Sequence, residues 1–159
     1  MFVLGIDPGL AATGYGIVDN SGADPTAVAA GVIRTAADAP IAQRLVELHR
    51  DLEAIIAEFA PTVAAVEQVF TNRNLKTSIA VGRASGVALL TLAEAGLAVY
   101  EYTPSAIKAA ITGFGSAPKE QMMKVIEMRL GVAPGTADAA DALAAALCHV
   151  QSVRLEGVS

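Results

Sequence analysis

The sequence predicts one α/β domain spanning residues 1–159, built on a five-stranded mixed sheet of three antiparallel and then parallel strands, with helices on both faces. Three observations carry this expectation. Residues 2–35 hold three extended apolar runs joined by short connections, the pattern of an antiparallel meander. From residue 38 onward helical and extended patterns alternate, which makes strands one, four and five parallel and lays helices over the sheet. At 159 residues and 53% hydrophobic, the chain can bury a substantial core but is too short for two ordinary domains.

The elements follow in order. Residues 2–8 form a buried strand, and residues 13–20 a second, with Gly14 and Gly16 alternating with Tyr15 and Ile17. The turn-forming stretch Asn20-Ser21-Gly22-Ala23-Asp24-Pro25 leads to a third at 26–35. Asp38 reads as an N-cap, with Pro40 in the first turn of a long helix reaching Pro61. Its apolar face is Ile41, Leu45, Leu48, Leu52, Ile55, Ile56 and Phe59. A short buried strand spans 62–66, a helix 75–95 ends at Gly96, and 98–102 is the fifth strand. Thr103-Pro104 opens a short helix through Ile111, and 116–130 gives another, stopped by Gly131. Thr136 caps a last helix running to about Val150.

Composition excludes several classes. No basic segment precedes the early apolar run, which Asp7 interrupts, so no secretory signal is expected and the cytoplasm is the expected compartment. No run of about 18 apolar residues suggests a membrane span. Cys148 is the one cysteine, which excludes an intramolecular disulfide and a cysteine-based zinc site. The net charge of −5 argues against a protein that coats nucleic acid, yet the distribution is uneven. Residues 68–124 carry Arg73, Lys76, Arg83, Lys108, Lys119 and Lys124 against Glu94, Glu101 and Glu120, a local +3, so −8 falls elsewhere. A nuclease needs such an arrangement, cations gripping phosphates beside acids that hold metal; an ordinary solvated surface would also produce it.

Four carboxylates stand where metal ions would need them. Asp7 closes the first strand and Glu67 the fourth, so both should project from the C-terminal edge of neighbouring parallel strands roughly 5 Å apart. Asp138 and Asp141 share a helix face in its first two turns, where acids are also favourable without metal. Four converging acids would repel one another and raise one another's pKa unless cations were present. Oxygen-only ligands select Mg²⁺ or Mn²⁺ over zinc. Two such ions about 3.5–4 Å apart support in-line phosphodiester hydrolysis. Asp7 is the natural bridging ligand, with Glu67 on one ion and the helical aspartates on the other. Lys119, following Gly113-Phe114-Gly115-Ser116, could steady the reacting phosphate or be a plain exposed lysine. Gly5, Gly9 and Gly14 around Asp7 would let a sugar–phosphate chain approach. His49 should face solvent, His149 lies too far along its helix to be a ligand, and Cys148 should be a small buried hydrophobe.

Leu4-Gly5-Ile6-Asp7-Pro8-Gly9 followed by Thr13-Gly14-Tyr15-Gly16 resembles the opening of RuvC-type Holliday junction resolvases. So do Val66-Glu67-Gln68-Val69-Phe70, Gly113-Phe114-Gly115-Ser116-Ala117-Pro118-Lys119 and Ala137-Asp138-Ala139-Ala140-Asp141-Ala142-Leu143, in the right order and spacing. The resemblance implies an RNase H-like fold, a homodimer, a branch-migration helicase as partner, and Mg²⁺-dependent paired nicking of four-way DNA junctions. It carries over Asp7, Glu67, Asp138 and Asp141 as the catalytic set, with Lys108 and Lys119 near the scissile phosphate. Pro118 stands where a more ordinary helix former is expected, which a first helical turn tolerates.

Phe70 reads as core by type, but its polar, basic neighbourhood and the resemblance favour a wedge that stacks on an unpaired base, worth about 1–3 kcal/mol. Arg73, Asn74 and Lys76 would then contact DNA at the crossover. Gly82 and Gly86 cost their helix roughly 1 kcal/mol each against alanine, so another backbone should approach there, from the sheet or from a two-fold mate. Three other readings are an RNase H-like nuclease processing ribosomal RNA precursors, an actin-type ATPase fragment, and a non-enzymatic junction binder. The Glu67-Gln68-Val69-Phe70 motif with paired aspartates weighs against the first, chain length against the second, and the four acids against the third.

Overall fold

The computed structural model describes residues 1–68 and 74–157. Their elements are β1 (Phe2–Asp7), β2 (Ala12–Asp19), β3 (Thr26–Arg34), α1 (Ile41–Phe59), β4 (Val63–Glu67), α2 (Leu75–Glu94), β5 (Ala98–Tyr102), α3 (Pro104–Thr112), α4 (Lys119–Leu130) and α5 (Ala137–Glu156). The strand order is β3-β2-β1-β4-β5. β1–β2 and β2–β3 pair antiparallel, β1–β4 and β4–β5 parallel, as the alternation of patterns predicts. Among the described residues no helix is long and apolar enough to cross a membrane.

Strand alternation sorts the core into two layers. Leu4, Ile6, Ile17, Ala64 and Val66 point to the face covered by α1 and α2, where Leu48, Leu52, Ala84, Ala88 and Leu92 meet them. Val3, Val18 and Ala65 point to the opposite face, under α5, with α3 and α4 packed outside it. Continuing that alternation by one more step puts Asp7, after Val3 and Gly5, and Glu67, after Ala65, on the α5 face. α5 is buried on nearly every side from Ala139 to Val150, which explains its all-round alanine and leucine composition.

The glycines next to Asp7 have a different role from the one expected. A Cβ on Gly5 would collide with the main chain of Ala142, and one on Gly14 with the carbonyl oxygen of Asp138. One on Gly16 would lie 2.7 Å from the Leu143 side chain. These positions face α5 rather than the sheet edge, so their bareness lets the helix lie directly on the strands instead of admitting a sugar–phosphate chain. Gly9 is likewise used inside the protein, since a Cβ there would meet the Ala12 carbonyl within its own turn.

Several ends differ from expectation. α1 is preceded by Pro40, which has no side chain to cap it, and Asp38 is not the cap. Its start rests instead on the fixed proline backbone, with Arg44 N–H donating to the Pro40 carbonyl at 3.1 Å. α4 begins at Lys119, not 116, because Pro118 holds the extended N-cap conformation ahead of it. α5 runs past Val150 to Glu156, where Arg154 reaches the β2–β3 turn through the Ala23 carbonyl (2.9 Å) and Asn20 Oδ1 (2.6 Å). His49 does not simply face solvent. The Thr91 hydroxyl donates to the Val87 carbonyl, so His49 Nδ1–H donates to Thr91 Oγ1 at 2.8 Å and ties α1 to α2.

Candidate metal centre and nucleic-acid cleft

The register places the acids. Ile6 pairs with Val66 in the parallel β1–β4 ladder, so the next residues, Asp7 and Glu67, leave the two strands side by side. Asp7 also pairs with Gly14, and the Asp138 main chain sits directly over Gly14. Thr136 fixes that end of α5 by accepting from Ala139 N–H at 3.2 Å, and Asp141 follows one turn on. The four predicted acids are thus gathered at one end of the sheet from three distant stretches.

Their electrostatics are those of an acid cluster with too little counter-charge. Burial first, then the neighbouring Glu67 carboxylate and a hydrogen bond with it, push the Asp7 carboxyl up to about 9, with Asp141 and Asp138 adding to the effect. Glu67 is raised mainly by burial, while its hydrogen bond to Asp7 acts the other way, so the shared proton resides on Asp7. Burial also raises Asp141, opposed by Lys119, whose Nζ lies 3.3 Å from Asp141 Oδ2. Lys119 is raised in turn, chiefly by Asp141. Among the described residues no three His, Cys, Asp or Glu side chains form a ready-made cage around one point. The donor set nevertheless fits a hard divalent cation: all four are carboxylates, and a cation would let Asp7 ionise at neutral pH.

Beside the acids opens a cleft of about 190 Å³. Glu67, Asp141, Lys108 and Lys119 give it charge, and Pro104, Ile107, Met122 and Ala144 floor it. Two helix starts aim the lysines. Thr103 caps α3 by accepting from Ala106 N–H at 3.0 Å, and Pro118 sets Lys119 at the first residue of α4. Of the other expected DNA contacts, Phe70 and Arg73 lie outside the described residues. Asn74 uses its side-chain oxygen to cap α2 on Thr77 N–H at 3.3 Å, and Lys76 is exposed on the first turn.

Two supporting groups escaped the sequence reading. Thr13, fully buried, donates to the Gly9 carbonyl at 2.6 Å and fastens the turn that follows Asp7. Tyr102, the register partner of Glu67, shares a 2.7 Å hydrogen bond with Nδ1 of buried His149. The Gly9–Thr13 spacing was a usable turn signal; the Tyr102–His149 pair, 47 residues apart in sequence, had none. His149 is accordingly behind the site and no ligand, and burial lowers its pKa. Cys148 is buried, and burial pushes its thiol up to about 11, which leaves it inert.

A sequence profile described as crossover junction endodeoxyribonuclease RuvC matches residues 3–149. The crossover junction endodeoxyribonuclease RuvC of Chloroflexus aggregans is 48% identical over 151 residues, covering 94% of this chain and 92% of that protein. Its counterpart from Anaeromyxobacter dehalogenans is 49% identical over 150 residues, covering 94% and 80%. Among solved structures, T. thermophilus RuvC in complex with a Holliday junction substrate superposes with a TM-score of 0.91 at 35% identity, covering 98% of this chain and 96% of that one. The yeast mitochondrial Holliday junction resolvase Ydc2 shares the fold at 14% identity and a TM-score of 0.67, covering 98% and 82%.

Proposed function

Because this chain belongs to the RuvC family of crossover junction endodeoxyribonucleases and is a metal-dependent Holliday junction resolvase, we propose that Asp7, Glu67, Asp138 and Asp141 are its metal ligands. The observation that carries the reading is the gathering of these four acids over the end of β1, where burial and mutual repulsion leave Asp7 protonated. Asp7, Glu67, Asp138 and Asp141 would hold two Mg²⁺ ions, which Mn²⁺ could replace, because all four offer only carboxylate oxygens. When bound, the ions would activate water and stabilise the departing 3′-oxygen, leaving 5′-phosphate ends. Lys119, which rests 3.3 Å from Asp141, would hold the scissile phosphate, and Lys108 would grip the strand along the same cleft. Phe70 acts as the wedge at the crossover, and Arg73, Asn74 and Lys76 contact DNA beside it. All of this is the work of one nuclease domain over residues 1–159. Family membership removes the ribosomal RNA processing alternative.

The active form is a two-fold homodimer, so that two equivalent centres nick strands of like polarity. Support comes from α2, where Leu75, Ile79 and Leu90 are exposed on the stripe that contains Gly82 and Gly86. Nothing lies within 4 Å of a Cβ built on either glycine, so the sheet is not what their bareness accommodates. A branch-migration helicase is the further partner, on family resemblance alone. The testing experiment incubates a synthetic four-way junction, linear duplex and structured RNA with Mg²⁺ or EDTA. Paired symmetric nicks on the junction, dependent on Mg²⁺, are expected; cutting in EDTA would overturn the metal centre.

A further inference from the structure

We propose that Phe114 is a second base-stacking residue, whose ring packs on an unpaired nucleobase of the junction strand that crosses the lysine-lined cleft. The inference rests on the junction-cutting reading above. Phe114, one of four phenylalanines in the chain, is 63% exposed, although phenylalanine is among the residue types most often buried. Its ring makes no aromatic contact among the described residues.

The backbone beneath it is fixed. The Thr112 hydroxyl donates to the Lys108 carbonyl at 2.8 Å and lies 3.1 Å from the Phe114 carbonyl. The same oxygen accepts from Phe114 N–H at 3.2 Å. Ala117, buried to 4% exposure, donates its N–H to the Phe114 carbonyl at 3.3 Å. Gly113, at φ +85°, turns the chain out of α3 in a conformation that would strain a side-chain-bearing residue, so the loop presents its next residue outward. The glycines on either side are themselves uncrowded: a Cβ on Gly113 would meet nothing within 4 Å, and one on Gly115 would make only an ordinary 3.5 Å contact.

Charge supplies the identity of the occupant. Lys108 lies one turn before the loop and Lys119 opens the helix just after it, and both line the cleft with Glu67 and Asp141. A strand whose phosphates are held by those two cations runs past the loop tip. Every nucleobase offers a π-face, and a pre-positioned ring loses little entropy on stacking. At the four-way crossover the continuous base stack is interrupted, so a base opens there at lower cost than inside a duplex and the contact favours junction over linear DNA.

The test uses the full chain in an Asp7→Asn background to hold uncut complexes. Four-way junctions carry 2-aminopurine at successive positions around the cleavage point. Phe114 protein is expected to change the fluorescence at one of these positions. Phe114→Ala should abolish that change and weaken junction binding about 5–100-fold, with linear duplex binding and circular dichroism unaltered. Phe114→Trp should restore both readouts, and Phe114→Leu should not. Unchanged binding and fluorescence in Phe114→Ala, or full recovery in Phe114→Leu, overturns the stacking role. A change of oligomeric state in Phe114→Ala would also overturn it, by assigning the ring to a protein contact. If Phe114 protein itself fails to bind the junction while remaining folded, the junction-cutting reading falls, and this inference with it.

Discussion

Asp7 is half-buried among three other acids, and burial is the larger reason that its carboxyl holds a proton up to about 9. In the unfolded chain the same group ionises near 3.8. Between those values the unfolded state has released a proton that the folded state keeps, so rising pH favours unfolding; well below 3.8 the penalty vanishes. Asp7→Asn is therefore expected to exceed the parent in EDTA by on the order of 5 °C in melting temperature near pH 8, and not at all near pH 3. Equal melting curves at both pH values would refute the charge argument. With Mg²⁺ present the same variant should keep junction binding and lose about 10³-fold or more in cleavage rate, measured on a synthetic junction. Lys119 makes a separate prediction. Its ammonium occupies Asp141 at 3.3 Å, so it competes with a metal ion for that carboxylate. Because the lysine is largely exposed, the competition is weak: Lys119→Met should tighten Mn²⁺ binding without DNA by about 2–5-fold in calorimetry while slowing cleavage. Looser Mn²⁺ binding in the variant would contradict it. The four acids themselves were legible because they end strands or open a helix, positions that a pattern of hydrophobicity marks. The Tyr102–His149 pair was not, because its role depends on a partner that only folding supplies.

At the scale of elements, the contact between α5 and the β1–β2 hairpin decides the geometry of the centre. Gly5, Gly14 and Gly16 form a bare track on the sheet, and α5 lies along it with Asp138 over Gly14 and Ala142 over Gly5. The alternation of glycine with Tyr15 and Ile17 was visible in the sequence, but a strand's periodicity does not say what lies on its bare side. That is why these residues suggested room for DNA and proved to make room for a helix. A methyl group at Gly14 must push α5 away, and overpacking of this kind costs about 1–3 kcal/mol. Gly14→Ala should lower the urea midpoint accordingly and also depress cleavage, since Asp138 would move with the helix. A variant with full stability and full activity would disprove the track. Helix ends were the weakest part of the sequence reading for a related reason. Asp38 and Ser116 have good capping chemistry, but Pro40 and Pro118 impose the extended backbone next to the helices and so set where α1 and α4 begin.

For the whole molecule, the exposed stripe on α2 is where two copies should meet. Leu90→Glu is expected to shift the protein toward monomer in analytical ultracentrifugation and to replace paired nicks with single, uncoordinated ones. An unchanged dimer would move the interface elsewhere. Junction affinity should fall steeply as salt rises, because the lysines of the cleft act on phosphates and release counterions. By itself the sequence determined the strand and helix order, the parallel neighbours that bring Asp7 beside Glu67, and the chemistry of the four acids. These follow from periodicity and residue type, which are local properties. Only the tertiary structure decided which face of the sheet the acids share, how closely α5 approaches it, and that Lys119 rests on Asp141. Those outcomes depend on collisions and charges between residues far apart in the chain, and no local pattern encodes such distances.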